Sequence, residues 1–143
     1  QRGPSRALAV LAPSGWWAEC SVAARNSLQV KNYRAAYIFA ANCGISPENS
    51  TEYSESQFLA GWIALRFLNQ PDTALTHFHA MARAVGRPIS KARAYYWVGR
   101  AWEASGNLTN AATAYHTATQ APETCYGQLA LAKIDFIDGR STP

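Results

Sequence analysis

The chain has 143 residues, 48% hydrophobic and only 15% charged, with five Trp and seven Tyr; this argues against disorder and fits one ordinary domain. A net charge of +4 and a pI near 9.2 admit an acidic partner without requiring nucleic acid. No apolar run reaches the roughly 18 residues of a membrane span, the three cysteines cannot build a disulfide framework, and none lies in a CxxC pair that would point to zinc.

Residue 1 is Gln, so the chain reads as a processed or excised segment, and the stretch 7–13 is too short for a signal peptide. Apolar residues recur at steps of three and four almost throughout, and no segment alternates strictly over a strand length, which predicts an all-α fold. A helical remnant is expected over 5–11, stopped by Pro13. The next helix is expected over 16–30 with Ser14 as its N-cap, then one over 33–42 with Gly44 as a stop. After a polar loop centred on Pro47, the pattern gives helices over 51–68 and 72–85, parted by Asn69-Gln70-Pro71-Asp72. Gly86 and Pro88 break the chain, and Ser90 opens a helix over 90–105 that Gly106 ends. Helices over 109–119 and 123–137 complete the set: seven, besides the remnant. In domain terms, 1–13 is the end of a preceding helix or a linker, 14–137 a helical repeat domain, and 138–143 a frayed tail.

The helices repeat in pairs. Phe58 superposes on Tyr95, Leu65 on Trp102, Ala74 on Ala111, Phe78 on Tyr115 and Met81 on Ala118, all at a step of 37, with a one-residue slip around Gly61 and Trp62. Tyr95, Val98, Gly99, Trp102, Ala111, Tyr115 and Ala118 follow the spacing of the 34-residue tetratricopeptide unit. Gly99 is expected where two helices cross, with Ala111 opposite and Trp102 and Tyr115 on either side. The pair 16–30 and 33–42 fits more loosely. The expected architecture is a right-handed α-α superhelix, a tetratricopeptide-like solenoid of stacked hairpins.

Chemistry is sparse. Glu55 has only Glu52 near it in sequence and is expected to complement a helix dipole; Glu103, Asp72 and Glu123 are expected to be solvated or capping. His77 and His79 lie about 200° apart around one helix and cannot share a metal, and His116 is alone. No Gly-rich phosphate loop follows a strand, so no cofactor, metal or catalytic residue is assigned. Asn49-Ser-Thr and Asn107-Leu-Thr match glycosylation acceptors, a motif frequent by chance.

Charge says more. From Thr73 to Trp102 there is no acidic residue, and that stretch holds Arg83, Arg87, Lys91, Arg93 and Arg100. These five read either as a contact surface for an anionic polymer or acidic protein, or as a solvated rim of snorkelling side chains. Tyr95, Tyr96 and Trp97 among them could stack on sugars or bases, although Tyr95 and Trp97 cannot both point outward. Cys20 and Cys43 lie about eleven residues on either side of the turn near 31 and 32, level with each other in an antiparallel pair. They can bridge in an oxidising compartment; the reduced, buried pair is the expected state.

Several segments carry a family resemblance. Phe58-Leu-Ala-Gly-Trp-Ile-Ala-Leu-Arg-Phe-Leu, then Ala74-Leu-Thr-His-Phe, then Pro88-Ile-Ser-Lys-Ala-Arg-Ala-Tyr-Tyr-Trp-Val-Gly-Arg-Ala resemble the N-terminal superhelical region of the soluble lytic murein transglycosylases. Trp16-Trp17 and Cys125-Tyr-Gly-Gln-Leu-Ala, similar to the family's Phe-Tyr-Gly-Gln-Leu-Ala, agree with it, so that it covers roughly 16–132. The resemblance implies a periplasmic setting and a place beside a lysozyme-like catalytic domain. That domain cleaves the bond between N-acetylmuramic acid and N-acetylglucosamine, leaving 1,6-anhydro ends. Its catalytic Glu-Ser and Gly-Leu-Met-Gln motif are not in this chain; Glu55-Ser56 is a chance echo. What the resemblance implies here is a non-catalytic segment that positions peptidoglycan or stabilises the enzyme, with murein or the catalytic domain as partner. The other expectation is an independent protein-interaction scaffold of the tetratricopeptide class.

Overall fold

A computed structural model describes residues 12–141. These form seven helices: α1 Pro13–Gln29, α2 Tyr33–Ala41, α3 Ser50–Arg66, α4 Pro71–Ala84, α5 Pro88–Ala104, α6 Leu108–Ala118 and α7 Cys125–Ser141, with no strand among the described residues. The remnant expected over 5–11 lies outside them.

Three helix starts differ from expectation for one reason. Pro13, Pro71 and Pro88 each sit in the first turn of a helix instead of breaking one. A first-turn N–H has no intrahelical partner to lose, and the fixed proline φ is already helical. Ser14 therefore lies inside α1, with Ala12 at the cap position, and Ser90 lies inside α5, with Arg87 at the cap. Asparagines do cap two of the short helices: Asn32 Oδ1 accepts from Ala35 N at 3.2 Å and Asn107 Oδ1 from Asn110 N at 2.9 Å. α7 continues to Ser141, so the tail expected from residue 138 is largely helical.

Each even-numbered helix packs against the odd-numbered helices before and after it, and the odd helices touch in succession, α1 on α3, α3 on α5, α5 on α7. One core runs along the chain. Leu59, Ala60 and Ile63 of α3 pack with Trp17, Ala24, Ala36 and Ala40, while Phe78, Trp97, Tyr115 and Ile134 lie in the larger cluster, and Tyr37 and Trp62 touch both.

The repeat is real in the packing, but its register is corrected. Gly61 packs against the Phe78 ring as Gly99 packs against Tyr115: a Cβ on Gly61 would lie 2.6 Å from Phe78 Cε1, and one on Gly99 2.4 Å from Tyr115 Cε1. Ser50 thus aligns with Pro88 and Arg66 with Ala104, an offset of 38 from α3 to α5, whereas Pro71 aligns with Leu108, an offset of 37 from α4 to α6. Phe58 consequently matches Tyr96, not Tyr95, and their ring pairs correspond, Phe58–Phe78 at 6.3 Å and Tyr96–Tyr115 at 5.7 Å. The slip is one extra residue in the turn: 67–70 join α3 to α4, but 105–107 join α5 to α6. Each turn passes through one left-handed residue, Asn69 at φ 55° and Gly106 at φ 88°. Gly99 faces the Tyr115 ring itself, so the aromatic occupies the room left by the missing side chain.

The sequence reading is also corrected on one polar feature, and a second, a hydrogen-bonded histidine, goes beyond it. Cys20 of α1 and Cys43, just past α2, form a disulfide with a Cα–Cα distance of 6.0 Å, in place of the expected reduced pair. The two positions are level, as their spacing about the turn requires, and Cys43 is buried. Between α2, α3 and α4, His77 Nδ1 and Gln57 Oε1 are 2.8 Å apart, and His77 Nε2 and Tyr37 Oη 2.7 Å. A carbonyl oxygen only accepts, so Nδ1 carries the proton and Nε2 accepts from the phenol.

Burial holds the His77 pKa below its ordinary 6.5. His79 is lowered too, by burial and then by the charge of Arg83. Protons therefore bind the unfolded chain more readily. The stability from these neutral imidazoles is complete above about pH 6.5 and is lost as the pH falls through that value toward the lower folded pKa. Urea midpoints measured between pH 7.5 and 5 are expected to fall, and His77→Gln is expected to flatten the slope; an unchanged slope in the variant would show that His77 does not titrate in this way.

Candidate binding groove

Turns of α1, α3, α5 and α7 supply the walls of three recesses. Residues spaced by three, four and seven share a helix face, so Trp17, Ser21 and Arg25 form one stripe on α1, and Arg93 and Arg100 lie on one face of α5, roughly 10.5 Å apart along its axis. A recess of about 240 Å³ is lined by Trp17, Arg25, Glu55, Phe58, Leu59 and Arg93. It shares Trp17, Arg25 and Glu55 with a recess of about 400 Å³ that reaches Ser14 and Glu52. A third, of about 350 Å³, is lined by Leu65, Arg66, Arg100, Glu103, Ala104 and Lys133.

The structure divides the five cations singled out in the sequence. Arg83, Arg87 and Lys91 are exposed around the turn from α4 to α5, and Lys91 Nζ donates to the Ala82 carbonyl at 3.4 Å. Arg93 and Arg100 each line one of these recesses and are half-buried. The Arg93 guanidinium lies 4.1 Å from the centroid of Phe58. Arg100 lies 5.1 Å from that of Trp97 and donates to the Tyr96 hydroxyl at 3.1 Å. Such contacts fix a guanidinium while leaving its edge N–H groups available.

The aromatic run next to these arginines is not a stacking platform. Tyr96 and Trp97 are buried, Trp97 against Phe58 and Phe78, and Tyr95 is half-buried against the core. The Tyr96 and Trp97 rings support Arg100 and are covered by packing.

Two carboxylates hold positions that sequence reasoning missed. Glu55 lies in the second turn of α3, beyond the dipole position that Glu52 takes, and accepts from Trp17 Nε1 at 3.1 Å. Glu103 is neither solvated nor a cap. It accepts from the Tyr115 hydroxyl at 2.7 Å and pairs with Lys133 at 3.1 Å, tying α5 to α6 and α7. Burial, and then the bond to Glu103, raise the Tyr115 pKa well above its ordinary value, so the phenol keeps its proton and donates. The spacing of Arg93 and Arg100 was legible in the sequence, but the contributions of Arg25, Arg66 and Lys133 depend on how separate helices are juxtaposed.

Among the described residues, no group of three or more His, Cys, Asp or Glu could hold a metal ion, and no helix is long and apolar enough to cross a membrane. Comparison of the chain with protein-family models, curated proteins and solved structures finds no match in any of the three.

Proposed function

We propose that this chain is a tetratricopeptide-like superhelical, non-catalytic segment of a soluble lytic transglycosylase acting on peptidoglycan in the periplasm, where it positions the murein or braces the catalytic domain. The observation that carries this is the order of the matching segments. They fall in order on α1, α3, α4, α5 and α7, and three glycines within them, Gly61, Gly99 and Gly127, stand where a Cβ would meet a neighbouring atom at 2.6 Å or less. Motif positions under packing constraint support kinship of fold better than surface similarity does. The Cys20–Cys43 bridge supports an oxidising compartment outside the cytosol. The succession of hairpins, each covering the apolar face of the last, supports the superhelical arrangement.

Arg83, Arg87, Lys91, Arg93 and Arg100 are the proposed contacts, since the peptides of murein carry carboxylates. Sedimentation with purified sacculi tests this. The chain is expected to co-sediment, to release no 1,6-anhydro products, and to lose retention on charge reversal of Arg87 and Arg93. Unchanged sedimentation of that variant would remove the basic surface from the proposal. Release of anhydro products by this chain alone would overturn its non-catalytic role. Specific capture of a protein partner without sacculus binding would favour the independent interaction scaffold.

A further inference from the structure

We propose that the recess between α3, α5 and α7 is a carboxylate site that takes the C-terminus of a peptide ending in a small apolar residue. Its charge is the first reason. Arg66, Arg100 and Lys133 line it with one carboxylate, Glu103. Glu103 is already committed to Lys133 at 3.1 Å and to the Tyr115 hydroxyl at 2.7 Å. Neither arginine lies within ion-pair distance of a carboxylate among the described residues. The recess over α1 differs, because there Arg25 and Arg93 face Glu55 and Glu52.

Preorganisation is the second reason. Arg100 is held by the Tyr96 hydroxyl and lies over the Trp97 ring, so little side-chain freedom is left to lose when its planar fork meets an oxyanion. Shape and polarity select the ligand. At about 350 Å³ the space is at the small end for ligand pockets, and Leu65 and Ala104 put an apolar wall beside the cations. A carboxylate with a small side chain on the adjoining carbon satisfies both. A sugar ring finds no aromatic face to stack on among the residues that line the recess. The site follows from the recess alone and does not depend on the murein assignment.

Calorimetric titration with N-acetyl-trialanine and with its C-terminal amide tests it. The acid is expected to bind at least about ten-fold more tightly than the amide, the effect of one or two charge-assisted hydrogen bonds. Arg100→Gln and Arg66→Gln are each expected to erase that preference, while Arg34→Gln, exposed on α2 and away from the recess, retains it. Arg66 is exposed, so its variant keeps the test decisive if Arg100→Gln unfolds, as circular dichroism would reveal. Equal binding of acid and amide, binding of neither, or a preference that survives both variants overturns the proposal. Inorganic phosphate binding as tightly as the tripeptide acid would make this a general anion site and overturn the peptide assignment. Failure in the sacculus assay with success here would sink the murein reading and leave this site standing.

Discussion

Gly99→Ala is expected to lower stability by about 2 kcal/mol, and its sign is informative. Alanine in an open helix interior is better than glycine by about 1 kcal/mol. At Gly99 the new Cβ would sit 2.4, 2.6 and 2.7 Å from three carbons of the Tyr115 ring. That ring cannot step aside cheaply: Tyr115 is fully buried, and its hydroxyl is tied to Glu103 at 2.7 Å. Overpacking in a closed site costs about 1–3 kcal/mol and here exceeds the helix-propensity gain. Gly139 in α7 is the control, since nothing lies within 4 Å of its added Cβ. Gly139→Ala is expected to be neutral or stabilising, by up to about 1 kcal/mol. Urea unfolding followed by circular dichroism measures both. If Gly99→Ala proved as benign as Gly139→Ala, the close approach of α5 and α6 would be wrong. A Tyr115→Leu background should recover most of the loss, because it removes the ring that the methyl meets.

Reduction of the Cys20–Cys43 bridge is expected to cost about 3 kcal/mol, the chain-entropy value for a loop of its size, given a sequence separation of 23. The effect falls on the α1–α2 hairpin. α1 is otherwise held by the cluster of Trp17, Ala24, Ala36 and Ala40, by Trp16 Nε1 donating to the Cys43 carbonyl, and by Trp17 Nε1 donating to Glu55. α1 should therefore loosen first, while the packing around Phe78 and Tyr115 survives to higher denaturant. Unfolding with and without reductant, together with a thiol count in denaturant, checks this. The oxidised chain should show one reactive thiol, that of the exposed Cys125. Three thiols without reductant would rule the bridge out. Equal midpoints in both conditions would mean that the bridge forms without holding the fold.

Both expectations depend on helix placement, and there the sequence had partial reach. The helices, their order and their short turns are legible because apolar periodicity and turn residues act over a few positions. The small-residue-to-aromatic crossing is legible as well, since Gly99 and Tyr115 lie in adjacent helices across one tight turn. Even the level placement of Cys20 and Cys43 follows from counting residues about the turn at 31 and 32. Their oxidation does not, because it depends on how two side chains are aimed.

Non-local geometry decides the rest. A pattern scan absorbs the extra turn residue at 67–70 by shifting the helix before it, and only the matched contacts of Gly61 and Gly99 reveal the true offset. The five cations form one group along the chain, yet α5 places Arg93 and Arg100 in two separate recesses and leaves Arg83, Arg87 and Lys91 outside both. Glu103 reads as a surface acid until Lys133, 30 residues later, is brought against it. A helix face can be read from spacing because its period is a property of the backbone. Which neighbour covers that face depends on how successive hairpins stack, and that is settled by packing across the whole chain.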